Sequence, residues 1–223
     1  MGVDIVAIVR HNYSVKEIVN LPERINSWTD IHEYHKKFND DKREEINAIW
    51  DAGIFEVTEK LIKKEWEAWK SDGIVETFPR ICCSFANFKV NRHTINICPS
   101  WMHKYGNLYD FFTREYVMNL MRMIAHKIDS NRIIYCPDSA CSTSILEEKS
   151  RQGCTLEEIE EYGISTFGRI PLDLTNAVYN YFYIDDLNLN LNDYNNEKYL
   201  FNRCNEEYFL EQKFGEKFII KRN

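Results

Sequence analysis

The chain has 223 residues, of which 44% are hydrophobic and 28% charged, and its formal net charge is −7. This length and composition are ordinary for a globular protein that buries a substantial core. The acidic balance argues against general nucleic-acid binding, which normally needs a basic surface. It fits either a partner that has such a surface or a role in solubility alone. No run of about 18 apolar residues occurs, so the sequence predicts no membrane-spanning helix.

The amino-terminal sequence, MGVDIVAIVRHN, lacks the basic leading region and the cleavage site of a signal peptide. The seven cysteines follow no regular spacing. Together these features predict reduced thiols in a cytoplasmic protein that has no metal site and no cofactor.

The first third of the chain predicts one strand and several helices. Residues 3–10 are apolar on both faces of a strand, which is typical of a central position in a sheet. Ser14 and Glu17 have the spacing of a capping box, so a short helix should follow. Residues 29–73 are helical in character and are a possible insertion. The sequence favours a surface position for His32 and His35, which share one face of this segment.

The middle of the chain predicts a β-hairpin and a long helix. The two strands of the hairpin are residues 80–88 and 94–98, with their turn at residues 91–93. Residues 107–129 carry a broad apolar stripe at helical spacing and form the strongest predicted helix.

The stretch from 132 to 148, RIIYCPDSACSTSILEE, predicts a short buried strand, a polar turn and the start of a helix. Pro137 should end the strand because proline cannot donate to a sheet ladder. Ser144 and Glu147 have capping-box spacing, so the helix should begin near residues 142–144. Cys141 would then lie beside the positive end of the helix dipole, which favours the thiolate.

This turn is one of two candidate functional regions. Cys141 is the candidate nucleophile, and His93 or His103 the candidate base, because either histidine could lie at a strand end near the turn. Asp138 could orient that base or act as the acid–base group itself. The competing interpretation is that Asp138 and Ser144 only hold the turn and cap the helix.

The second candidate region is acidic. Thr155 and Glu158 predict another capping box, and a short helix should run over residues 155–162 and end at Gly163. A strand is predicted over residues 179–184, and a last helix and strand over residues 206–213 and 217–221. The candidate partner-binding carboxylates are Glu157, Glu158, Glu160, Glu161, Asp185 and Asp186.

The order of elements predicts an α+β fold, with a mixed α/β fold as the alternative: a single domain over residues 1–223, in which helices pack on one mainly antiparallel sheet. The favoured function is an acidic binding protein without nucleic-acid or membrane partners. In its charge, its abundance of Tyr, Asn and Asp, and its compact size, the chain resembles bacterial immunity proteins, which neutralise toxins. The resemblance is one of composition and implies a basic partner protein. The alternative is an enzyme that uses the turn between Cys136 and Ser144.

The thiol prediction can be checked directly. Because the cysteine spacing is irregular, we expect the freshly purified protein to have the mass of a fully reduced chain and no stoichiometric metal. Intact-mass spectrometry and elemental analysis measure both quantities. A mass deficit of about 2 Da per cysteine pair, or one equivalent of zinc, would contradict the prediction.

Overall fold

A computed structural model of the chain describes residues 5–38, 49–50, 58–72, 79–99, 111–137, 144–167 and 182–188. The strands are β1 (Ile5–Arg10), β2 (Ile49–Trp50), β3 (Arg80–Cys82), β4 (Ala86–Val90), β5 (Thr94–Pro99), β6 (Arg132–Pro137) and β7 (Tyr183–Asp186). The helices are α1 (Val15–Val19), α2 (Leu21–Asn26), α3 (Thr29–Phe38), α4 (Glu59–Asp72), α5 (Phe111–Ile128), α6 (Ile145–Arg151) and α7 (Leu156–Phe167).

The described strands form one sheet in the order β2-β3-β4-β5-β1-β6-β7. Every pairing among them is antiparallel. Helices pack on this sheet, so the predicted α+β fold is confirmed. The described part of the chain does not test the prediction of a single domain with residues 29–73 as an insertion.

Strand β1 lies in the interior of the sheet, between β5 and β6, as its apolar sequence predicts. Ile5, Ala7 and Val9 point into a core shared with α1–α5. Val6 and Ile8 point into a second core shared with α6 and α7. Successive side chains of a strand face opposite sides, so a strand covered on both faces must be apolar throughout.

The predicted hairpin is correct at residues 91–93 but wrong in its first strand. Residues 80–88 form two strands, β3 and β4, because the chain turns between Cys83 and Ala86. The Cys83 N–H donates to the Ala86 carbonyl oxygen at 3.0 Å. Phe85, within the turn, is fully buried, and its ring stands at 90° to that of Phe88. Ser84 is a usual turn residue, and burial of the Phe85 ring anchors the turn in the core.

Two of the three predicted capping boxes are confirmed. The Ser14 N–H donates to Glu17 Oε2 at 2.7 Å, and the Glu17 N–H donates to Ser14 Oγ at 3.3 Å. Thr155 and Glu158 form the same reciprocal pair at 2.7 and 3.2 Å.

The third capping box, at Ser144, is wrong. Ser144 has helical backbone angles, φ −62° and ψ −17°, and its side chain does not cap α6. Glu147 instead reaches the neighbouring sheet, where its carboxylate accepts a hydrogen bond from Lys89 Nζ at 2.9 Å. The carboxylate is almost fully buried, so the ion pair takes the place of a cap.

A buried serine attaches α6 to the polar part of the sheet. Ser150 Oγ accepts a hydrogen bond from Asn91 Nδ2 at 2.8 Å and lies 2.6 Å from Thr94 Oγ1. The same hydroxyl donates to Asn96 Oδ1. Because one hydroxyl bonds three side chains, the position of α6 over β5 is tightly specified.

Helix α7 is longer than the sequence predicts. It continues through Gly163 to Phe167, so the prediction that this glycine ends the helix is wrong. Gly163 is buried, and a Cβ atom there would lie 2.7 Å from the ring of Phe182. The glycine therefore permits close packing of α7, whereas Gly153 has a φ of 82° and lies just after the end of α6.

His35 is buried, so its predicted surface position is wrong. Its Nδ1 atom hydrogen-bonds the hydroxyl of Tyr116, which joins α3 to α5. Burial, followed by the nearby His32, lowers the pKa of His35 to about 4. The imidazole is therefore neutral in the folded protein at neutral pH.

The pKa of His35 predicts a loss of stability in acid. The unfolded chain has the ordinary histidine pKa near 6.5 and binds more protons than the folded chain between pH 6.5 and 4. The free energy of unfolding should therefore fall as pH drops through this window, by at most about 1.4 kcal/mol per pH unit from this group. Urea unfolding at several pH values measures the slope.

A matched pair of variants tests whether His35 causes this pH dependence of the free energy of unfolding. His35→Asn should flatten it more than His126→Asn, which removes an exposed imidazole and serves as the control. Part of the slope should remain in His35→Asn, since burial also lowers the pKa of His11. An unaltered slope in His35→Asn would contradict the assignment.

Candidate functional site

An open groove of about 330 Å³ lies along the outer face of α7. We call it the α7 groove. It contains three of the six predicted partner-binding carboxylates. Its lining residues are Arg132, Glu157, Glu160, Glu161, Ile164 and Ser165.

The spacing of apolar residues along α7 determines which side chains reach the groove. Leu156, Ile159 and Gly163 follow one another at three- and four-residue steps and are buried. The opposite stripe, Glu157, Glu161 and Ile164, therefore faces outward.

Arg132 occupies the side of the groove next to the sheet. Its guanidinium lies 2.6 Å from Glu160 Oε2 and 3.4 Å from Asp186 Oδ2. Partial burial acts to lower the pKa of Arg132, but the two carboxylates outweigh it and the pKa is raised. Arg132 stays charged and links β6, α7 and β7.

The remaining groove carboxylates are held weakly. Glu157 lies 3.6 Å from Arg10, and both side chains of this pair are well exposed, at 64% and 39%. An exposed ion pair of this kind contributes between zero and about 1 kcal/mol. Within the part of the chain that the structure describes, Glu161 makes no ion pair.

The surface around the groove keeps a negative charge. Among the described residues, four carboxylates surround two guanidinium groups there, and these six groups carry a formal net charge of −2. The carboxylates are Glu157, Glu160, Glu161 and Asp186, and the guanidinium groups are Arg10 and Arg132.

Glu158, a fourth predicted carboxylate of α7, caps the helix. Hydrogen bonds from the Thr155 N–H and hydroxyl lower its pKa. It also interacts electrostatically with His93, which lies in the turn between β4 and β5. The pKa of His93 is lowered by burial and then by Arg92, with Glu158 opposing them. The structure thus brings a candidate base near a candidate binding residue.

Asp185 and Asp186 lie within β7 and face opposite sides of the sheet. Asp185 is 4% exposed and accepts two hydrogen bonds from Arg122, at 2.8 and 3.0 Å, on the side of α5. Asp186 faces α7 and contacts Arg132. Of these two predicted binding residues, only Asp186 adjoins the groove.

The predicted catalytic turn falls mostly outside the described residues. Asp138, Cys141 and His103 all lie there, so their grouping stays a prediction. Cys136 is fully buried in the second core, and Pro137 pairs with Ile5 at the end of β6.

Ile164 and Arg132 line the groove, but the sequence does not predict a functional role for either. A helix that ends at Gly163, as the sequence predicts, does not include Ile164 in its outer stripe. Its position seven residues after Glu157 would have placed it on that stripe. No local sequence pattern predicts the ion pairs of Arg132, because its partners Glu160 and Asp186 lie 28 and 54 residues away.

No protein-family model, no curated protein and no solved structure matches the chain. The helices that the structure describes include none long and apolar enough to cross a membrane. Across the described ranges, no three His, Cys, Asp or Glu side chains are grouped so as to hold a metal ion.

The two arginine contacts at the groove should differ in energy. A double-mutant cycle of Arg132→Met with Glu160→Gln should give a coupling free energy of about 1 kcal/mol, because the pair is short and partly buried. The cycle of Arg10→Met with Glu157→Gln should give nearly zero, because that pair is longer and exposed. Urea unfolding at low salt measures both, and equal couplings would show that the geometry does not set the energies.

Proposed function

We propose that the chain is a binding protein that takes a partner with a basic surface on the α7 side of the molecule. The observation that carries the proposal is the α7 groove, where carboxylates outnumber guanidinium groups. A negative surface attracts a positive one at long range and speeds the formation of the complex.

Two carboxylates carry most of this attraction. Glu161 makes no described ion pair, and Glu157 has only an exposed contact with Arg10. Glu160 forms an ion pair with Arg132, and Glu158 caps the helix, so both carboxylates already have partners within the chain. The proposed binding residues are therefore Glu157 and Glu161, with Asp186 at the edge.

An immunity-like role is the specific form of this proposal. A protein that acts on nucleic acid carries a basic surface, because it must neutralise phosphates. An acidic protein that covers such a surface blocks access to the phosphates. The excess of carboxylates at the groove supports this role, which would operate in the cytoplasm.

The test compares variants with the same net charge. A photo-crosslinking residue at Ser165 would capture the partner from source cells, and the purified partner would serve for kinetics. Glu157→Gln with Glu161→Gln should lower the association rate roughly tenfold at low salt and change dissociation less. The loss should shrink as salt rises, because the Debye length falls to about 10 Å at 0.1 M.

The control removes two charges elsewhere. Glu23→Gln with Glu33→Gln changes two exposed carboxylates on α2 and α3, across the sheet from α7. It should leave the association rate close to that of the original protein. Equal losses in the two double variants would show that only net charge matters. Failure to capture any partner, or a rate indifferent to salt and to both pairs, would overturn the proposal.

A further inference from the structure

Ile164 is the one large apolar side chain that the described residues expose, at 46%. It lines the α7 groove beside Ser165 and the three carboxylates. Single exposed apolar residues are common on protein surfaces, so exposure alone indicates nothing. Its place in a groove next to weakly paired charges is what distinguishes it.

The groove presents its chemical groups in a fixed order along the helix axis. Glu157 comes first, Glu161 follows one turn later, and Ile164 lies three residues further on. Seven residues of helix span roughly 10 Å. A ligand that matches all three groups must therefore place two cations and one apolar side chain along a line of that length.

A second helix meets this requirement. Side chains three or four residues apart lie on one face of a helix, so its spacing repeats that of α7. Recognition of an amphipathic helix in a groove normally reads such positions. The charge of the groove demands cations in the ligand, and an anionic membrane surface would be repelled.

We infer that the α7 groove binds an amphipathic helical segment of a partner protein, with two Lys or Arg residues against Glu157 and Glu161 and one apolar side chain against Ile164. The inference rests on the proposed function and names the recognition element of the basic partner. Arg132 stays paired with Glu160 and forms the wall of the groove.

The probe is a pair of synthetic peptides of about 18 residues, long enough to be helical in part. The first places Leu, Arg and Arg on one face, separated by three and four residues. The second has the same composition, with these three residues distributed around the helix. Fluorescence anisotropy measures their affinities for the full chain. The first peptide should bind at least tenfold more tightly than the second.

Variants of the chain separate the apolar contact from the charges. Ile164→Ser should weaken binding of the first peptide roughly five- to tenfold, the loss expected for one apolar contact, without altering its salt dependence. Glu157→Gln with Glu161→Gln should weaken binding and also reduce its salt dependence. Glu33→Gln should change neither quantity. Ile164→Arg adds a like charge and should abolish binding of the first peptide, while an unchanged melting temperature shows that the variant is folded.

The outcomes distinguish this inference from the proposed function. Equal affinity for the two peptides, or no effect of either Ile164 variant, would show that charge alone attracts the ligand; the inference would fall and the proposed function would stand. No binding of either peptide would also overturn the inference, and the association kinetics of the captured partner would decide the proposed function separately.

Discussion

The fold depends on β1, a strand that is apolar on both faces. Its side chains alternate between two cores, so one strand supports the layer of α1–α5 and the layer of α6 and α7. Antiparallel sheets often leave one face to solvent, and this sheet does not do so at its centre. In the described part of the chain the second layer consists of α6 and α7, and its contact with β1, β5 and β6 determines where the α7 groove lies.

The sequence revealed those elements whose signals are local. The apolar run of β1, the two reciprocal capping boxes and the stripe of α5 each involve residues within a few positions of one another, and each is confirmed. The errors arose where a distant contact overrides the local pattern. The chain turns at Phe85, whose ring is buried in the core. Glu147 forms an ion pair with Lys89, which lies 58 residues earlier, instead of capping α6.

The same distinction applies to the groove. Its carboxylates were found because four of them crowd one short helix. The sequence does not predict which carboxylates are paired, because Arg10 and Arg132 belong to two strands that are distant from α7 in sequence. As a result, the sequence alone does not distinguish the roles of the four carboxylates of this helix, which are Glu157, Glu158, Glu160 and Glu161. The structure separates them into a cap, a partly buried pair, an exposed pair and a carboxylate without a described ion pair.

Gly163 controls how closely α7 approaches the sheet. A single methyl group at this position would meet the ring of Phe182, so the helix would have to move outward or the ring would have to give way. The two positions are therefore constrained as a pair, and a larger residue at one requires a smaller residue at the other. Related chains that keep this packing should show coordinated changes at positions 163 and 182. Such a pattern would connect distant relatives even where the acidic surface has diverged.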